Sequence, residues 1–154
     1  MSLEAVLKQI DDTLPEALDR LVNLLKIPSI STDPAYKADC AAAAEMIAED
    51  LRGLGFAAET RPTPGHPMVV GHCDGGKVAA GRHLLFYGHY DVQPVDPLNL
   101  WHRDPFDPAI EDTPKGKVIR ARGSSDDKGQ LMTFIEACRA WKAVYGTLPG
   151  KLTI

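Results

Sequence analysis

The run His83-Leu84-Leu85-Phe86-Tyr87-Gly88-His89-Tyr90-Asp91 decides how this chain is read. Its apolar part is bounded by Gly88, the pattern of a buried strand that enters a loop. In an extended segment residues i and i+2 face the same side, roughly 6–7 Å apart. Asp91 can therefore reach one imidazole nitrogen of His89 while the other nitrogen faces away. A carboxylate on the far nitrogen fixes the tautomer and raises basicity, which is how zinc-binding histidines are commonly held. A surface His and Asp that merely share a hydrogen bond have the same spacing, so both readings stand on this run alone.

A second stretch, Arg122-Gly123-Ser124-Ser125-Asp126-Asp127-Lys128-Gly129, joins a strand beginning at Val118-Ile119 to a helix starting near Lys128. That helix carries Leu131, Phe134, Ile135 and Cys138 on one face, with Gly146 as its stop. Adjacent acids at a strand–helix junction serve as ordinary N-caps. They can also present a carboxylate to a metal, with the glycines permitting a tight backbone path.

Working outward, Thr13-Leu14-Pro15-Glu16 has the capping-box pattern, and Leu18, Leu21, Val22 and Leu25 recur at helical spacing up to Pro28. Residues 3 to 12 are either a separate helix or part of one kinked at Pro15. Residues 27 to 34 read as a loop. A second helix follows, with Ala44, Ile47, Ala48 and Leu51 on one face and Gly53 and Gly55 near its end. Phe56 to Arg61 and Met68 to Val70 read as strands, Pro62 to Pro67 as a turn, and Gly75-Gly76 as a hairpin turn. Residues 92 to 117, rich in Pro, Asp and Gly, read as one long irregular and functional segment. After a turn at Pro149-Gly150-Lys151, Leu152-Thr153-Ile154 begins a strand. The alternation of helices and strands predicts an α/β layered fold, and a strand starting so late predicts the front part of something longer.

Composition narrows the field. The 154 residues are 44% hydrophobic and 25% charged, the balance of a globular protein. A net charge of −4 is a poor match to nucleic acid, which needs a cationic footprint. Cys40, Cys73 and Cys138 are odd in number and far apart, which argues against a disulfide framework and for a reducing cytoplasm. Met1 to Lys26 lacks the unbroken apolar run of a signal peptide, and no stretch predicts a membrane span.

Taken in order, Gly88-His89-Tyr90-Asp91-Val92-Gln93-Pro94, Trp101, Asp104-Pro105-Phe106 and Gly123-Ser124-Ser125-Asp126-Asp127-Lys128-Gly129 resemble the N-terminal portion of the di-zinc metallohydrolases. These include carboxypeptidase G, acetylornithine deacetylase, succinyl-diaminopimelate desuccinylase, aminoacylase and carnosinase-type dipeptidases. The resemblance implies a three-layer α/β/α zinc-exopeptidase-like catalytic domain, of which residues 1–154 form the N-terminal, incomplete portion. It implies His89 as a ligand of one zinc, Asp91 as the catalytic-site acid that clamps its imidazole, and Asp126 as the carboxylate bridging two metals, followed by a cis peptide bond. Asp127 is left a hydrogen-bonding or capping role, and Lys128 and Gly129 look structural. Two Zn2+ per site are implied, with Co2+ or Mn2+ as substitutes, and a homodimer as the complete protein.

The chain departs from the family at Ala121-Arg122-Gly123, where relatives usually have Gly-Arg-Gly, and in an extra Pro-Lys element within Glu111 to Lys117. The family's general-base Glu and its remaining ligands have no match, so the chain alone is expected to be inactive. Val92-Gln93-Pro94 resembles the dipeptidase branch and implies a small peptide substrate. N-acyl-amino-acid deacylation and a catalytically silent relative are the rivals. His66, His72 and His83 read as structural, His102 as a rim residue, and Trp101 and Phe106 as plugs of their loop.

Overall fold

The computed structural model describes residues 1–76 and 83–154. Helices α1 (Leu3–Asp12) and α2 (Leu14–Leu25) are separate and part at Thr13. The capping box does not form. The Thr13 hydroxyl donates back to the Gln9 carbonyl at 2.8 Å, and no side chain caps α2. Thr13 follows the last residue of α1, and the orphan carbonyls of that helix end compete for the same hydroxyl.

Asp33 accepts a hydrogen bond from the Ala35 N–H at 2.9 Å and opens a single 3-10 turn that leads into α3 (Lys37–Gly53). The buried face of α3 is mostly small, with Cys40, Ala43, Ala44 and Ala48 beside Ile47 and Leu51. Small side chains let the helix lie close on the sheet. A Cβ on Gly71 would sit 3.2 Å from Leu51 Cδ1. Gly55, at φ +77°, ends the helix in the left-handed region.

Strands β1 (Ala57–Arg61) and β2 (Met68–Cys73) form an antiparallel hairpin in the register Ala57↔His72 to Arg61↔Met68. With β3 (His83–Leu85) and β6 (Lys151–Thr153) they make a sheet of order β1-β2-β6-β3, in which β6 is antiparallel to β2 and parallel to β3. The Gly75-Gly76 reading therefore changes: β2 is not hairpinned to β3, because β6 lies between them. Those glycines instead pack against the turn before β6, where Gly76 N–H donates to Leu148 O at 3.0 Å. Residues 77–82 of the connection lie outside the described residues.

The segment 92–117 is only partly irregular. β4 (Ala109–Thr113) and β5 (Gly116–Arg120) form a separate two-stranded ribbon, and the Pro-Lys element is its turn, closed by Gly116 at φ +102°. β5 contains the strand read at Val118-Ile119, whereas β4 is short, largely polar and half solvated and lacks the apolar run from which strands are read. The rest of the loop is pinned by Arg122, which donates to Pro94 O at 3.0 Å and stacks over Trp101, 5.1 Å from the ring centre. Trp101 and Phe106 are half-buried within it.

Helix α4 (Lys128–Tyr145) ends at Gly146 in the left-handed conformation and crosses α1 and α2. Leu131, Ile135 and Cys138 join Leu21, Leu24, Leu25, Ile47, Leu51 and Leu152 in one core. All of this lies on one face of the sheet. The other face, carrying His72, His83, Leu85 and Lys151, is exposed, so the described residues show two of the three layers. That corrects the buried-strand reading of residues 83–87. β3 is an edge strand among the described residues, with Leu84 57% and Leu85 72% exposed. No helix in the described residues is long and apolar enough to cross a membrane.

Candidate metal centre

Past β3, Phe86 N–H still donates to Thr153 O at 2.8 Å, so the strand direction carries on into the segment that holds His89 and Asp91. The imidazole sits between two carboxylates. Nδ1 is 3.1 Å from both the Asp91 Oδ1 and the Asp91 carbonyl oxygen, and Nε2 is 3.0 Å from Asp126 Oδ1. Burial pulls the His89 pKa down, but its bond to the Asp91 carbonyl and the charges of Asp91, Asp127 and Asp126 outweigh that and hold it above the ordinary value. His89, Asp91 and Asp126 are thus brought together, although Asp91 and Asp126 are 35 residues apart by number (126 − 91).

Asp126 and Asp127 lie just before α4, and the bond between them is cis. Their side chains part: Asp126 is 77% exposed and faces His89, while Asp127 Oδ2 accepts the His89 backbone N–H at 3.0 Å. Asp127 makes no cap to α4. It holds the histidine's main chain instead. Donor atoms of His89, Asp126 and Asp127 lie within 4.8 Å of one another.

The next residues anchor this junction. Lys128 is fully buried, and its ammonium donates to Leu24 O at 3.0 Å and Ile27 O at 2.6 Å, at the end of α2. Burial pulls its pKa down to about 8. Gly129 has Ser124 O where a Cβ would be, at 2.0 Å. Gly123, at φ +84°, has no room either, with Val92 Cγ1 at 2.8 Å from a Cβ there.

Sequence reasoning placed Ser31 in the loop of residues 27 to 34 but missed its part in the site. Ser31 Oγ donates to Asp91 Oδ2 at 2.6 Å, and Ser29 Oγ donates to Tyr90 O at 2.7 Å. The only local signal was a pair of serines two residues apart, the spacing of His89 and Asp91. His66 donates from Nε2 to Ser31 O at 2.8 Å. His72 and His83 share the Thr153 hydroxyl and stand apart from His89, Asp126 and Asp127, and His102 is exposed. A cleft of about 480 Å3 opens beside His89 and Asp91, with Leu85, Phe86, Tyr87 and Leu131 in its largely apolar wall.

The donor set suits a borderline divalent metal: one imidazole nitrogen and carboxylate oxygens. Two donors at about 2.0–2.2 Å from one tetrahedral ion sit roughly 3.3–3.6 Å apart. The 3.0 Å between His89 Nε2 and Asp126 Oδ1 is a hydrogen-bond distance, a few tenths of an ångström short of that spacing.

Residues 85–154 match the family described as Peptidase family M20/M25/M40. Over that stretch the chain is similar to those peptidases. It is 31% identical over 164 residues to the Cys-Gly metallodipeptidase DUG1 of Saccharomyces cerevisiae, covering 98% of this chain and 33% of that protein. It is 36% identical over 129 residues to a succinyl-diaminopimelate desuccinylase of Xanthomonas euvesicatoria pv. vesicatoria, covering 83% of this chain and 31% of that protein. The solved structure of human carnosine dipeptidase 1 superposes with a TM-score of 0.84 at 25% identity, over 99% of this chain and 33% of that one. The chain thus shares the α/β fold of these similar proteins and spans about a third of their length.

Proposed function

We propose that residues 1–154 are the N-terminal part of the catalytic domain of a metal-dependent hydrolase that cleaves peptide bonds of dipeptides or short peptides. In this reading His89 and Asp126 are metal ligands and Asp91 orients His89. The observation that carries it is the His89 imidazole held between Asp91 and Asp126, with both nitrogens engaged. Zn2+, two per site, is the metal we assign, with Co2+ or Mn2+ as substitutes. When bound, it supplies a Lewis acid for the scissile carbonyl and acidifies a water.

The chain's own residues do the positioning. Asp91 keeps the Nδ1 proton of His89 and leaves Nε2 as the donor atom. Asp127 fixes the main chain of His89. Asp126 is exposed enough to reach more than one ion. A catalytic zinc normally takes three protein ligands and water. We place the general base and the remaining ligands outside this chain, in a protein that is a cytoplasmic homodimer when complete. The three cysteines, all free thiols, support that compartment.

The 154-residue chain is therefore expected to bind metal weakly and to hydrolyse nothing. Assays on a dipeptide panel with Zn2+, Co2+ or Mn2+ test the second point. Metal-dependent turnover above a His89→Ala control would count against our placing of the base. In a chain extended to the length of its relatives, His89→Ala and Asp126→Ala should lose both bound metal and rate, read as metal content after dialysis. Full occupancy in Asp126→Ala would remove its bridging role. N-acyl-amino-acid deacylation is the second reading, favoured by the desuccinylase at 36% identity. Release of succinate from N-succinyl amino acids by the extended chain would select it.

A further inference from the structure

The tautomer of His89 is contested. Two oxygens of Asp91, Oδ1 and the carbonyl, face Nδ1 at 3.1 Å, while Asp126 Oδ1 faces Nε2 at 3.0 Å. A proton on Nε2 would satisfy Asp126 and close the atom needed for a metal. The balance depends on how firmly the Asp91 carboxylate is aimed at Nδ1, and its side chain is 38% exposed, open to water and free to turn unless something holds it.

The geometry points to Ser31 as the positioning residue that does so, acting on His89 through Asp91. Its hydroxyl donates to Asp91 Oδ2 at 2.6 Å, which leaves Oδ1 as the oxygen turned to the imidazole. Charge-assisted O–H···O bonds of this length are among the stronger ones in proteins. The serine is itself fixed on both sides. Its carbonyl accepts from His66 Nε2 at 2.8 Å, the preceding Ile30 bridges to Val92, and Val92 N–H donates to Ser29 O at 2.9 Å. Further back, Lys128 grips Ile27 O. The loop from Ile27 to Ser31 is thus a rigid strap, and the one side-chain hydroxyl it aims at the histidine's partner is that of Ser31.

This inference rests on the proposed metal site for its purpose, but its test does not. In the metal-free chain at alkaline pH, where imidazole is neutral, long-range 1H–15N correlation reads the His89 tautomer directly. The Nδ1–H form should dominate in the parent chain. Ser31→Ala should gain Nε2–H signal, and Ser31→Thr, which keeps the hydroxyl, should restore the parent pattern. A Ser31→Ala chain with the parent tautomer population overturns the assignment. So does a Ser31→Thr chain that behaves like Ser31→Ala while near-ultraviolet circular dichroism shows all three folded alike. In Co2+ titrations followed by paramagnetic broadening at His89, Ser31→Ala should need roughly three- to tenfold more metal, short of the ~10–100-fold that loss of the orienting carboxylate itself costs. If His89→Ala binds Co2+ as well as the parent does, the metal reading fails, and the tautomer measurement still decides the role of Ser31.

Discussion

Gly129 stands in the first turn of α4, where helix propensity alone would favour alanine by about 1 kcal/mol. Sterics reverse that preference. The new methyl would lie 2.0 Å from the Ser124 carbonyl oxygen, a backbone atom held in the turn that presents Asp126. Gly129→Ala should therefore destabilise the chain by about 2–4 kcal/mol, as overpacking against fixed atoms does. Urea melts at equal protein concentration check this, and a stabilised variant would show that the turn yields. At this scale the sequence was legible where contacts are local. His89 and Asp91 are two residues apart, and their pairing follows from strand geometry. Ser31 was illegible because its partner lies 60 positions away and only the folded strap brings them together. Asp127 was half legible: an acid before a helix suggests a cap, yet its carboxylate takes the His89 N–H, which tertiary contact alone supplies.

The helices are cross-linked on their outer side by charge. Glu136 of α4 accepts two bonds from Arg20 of α2, both at 2.7 Å, and a bifurcated one from Arg139 Nε at 3.2 and 3.1 Å, and Arg139 also reaches Asp50 of α3 at 2.5 Å. Burial pushes the Glu136 pKa up, but the Arg20 bond and the Arg139 and Arg20 charges more than offset that and leave it below its ordinary 4.5. A carboxylate with a lowered folded pKa contributes stability above its unfolded value and loses it as pH falls through the folded one. Glu136→Gln should thus cost about 1–3 kcal/mol near neutral pH. The gap to the parent chain should close below the ordinary carboxylate range. Paired denaturant melts at neutral and acid pH test it, and a gap that persists in acid would assign the cost to packing. Helices α3 and α4 were readable because apolar spacing and terminal glycines agreed. Of the β4–β5 ribbon only the Val118-Ile119 part of β5 was readable, since Glu111, Asp112 and Thr113 leave β4 with little apolar content. The junction at Thr13, where two helix ends compete for one hydroxyl, was not readable.

Strand order was the least legible feature of all, because nothing in Lys151 to Thr153 says which strands it will join. The resulting sheet leaves one face bare and, among the described residues, no strand beside β3. Leu84, Leu85 and Tyr87 are exposed there. Unpaired edges with apolar side chains recruit other edges. The 154-residue chain should self-associate at micromolar concentration, and Leu85→Lys should reduce this by placing a charge on the edge. Sedimentation velocity distinguishes the cases, and a parent chain that remains monomeric would refute the expectation. The position of β6 has a further consequence, in time rather than in space. Among the described residues β3 finds its ladder with β6 alone, and β2 has β6 as its second neighbour, yet β6 is made long after both. At roughly 5–20 residues per second, a ribosome needs several seconds to get from one to the other. Throughout that interval the segment ending in His89 has no ladder to fix its direction. The β1–β2 hairpin can assemble as it emerges, whereas β3, among the described strands, gains its partner when β6 slides in between it and β2.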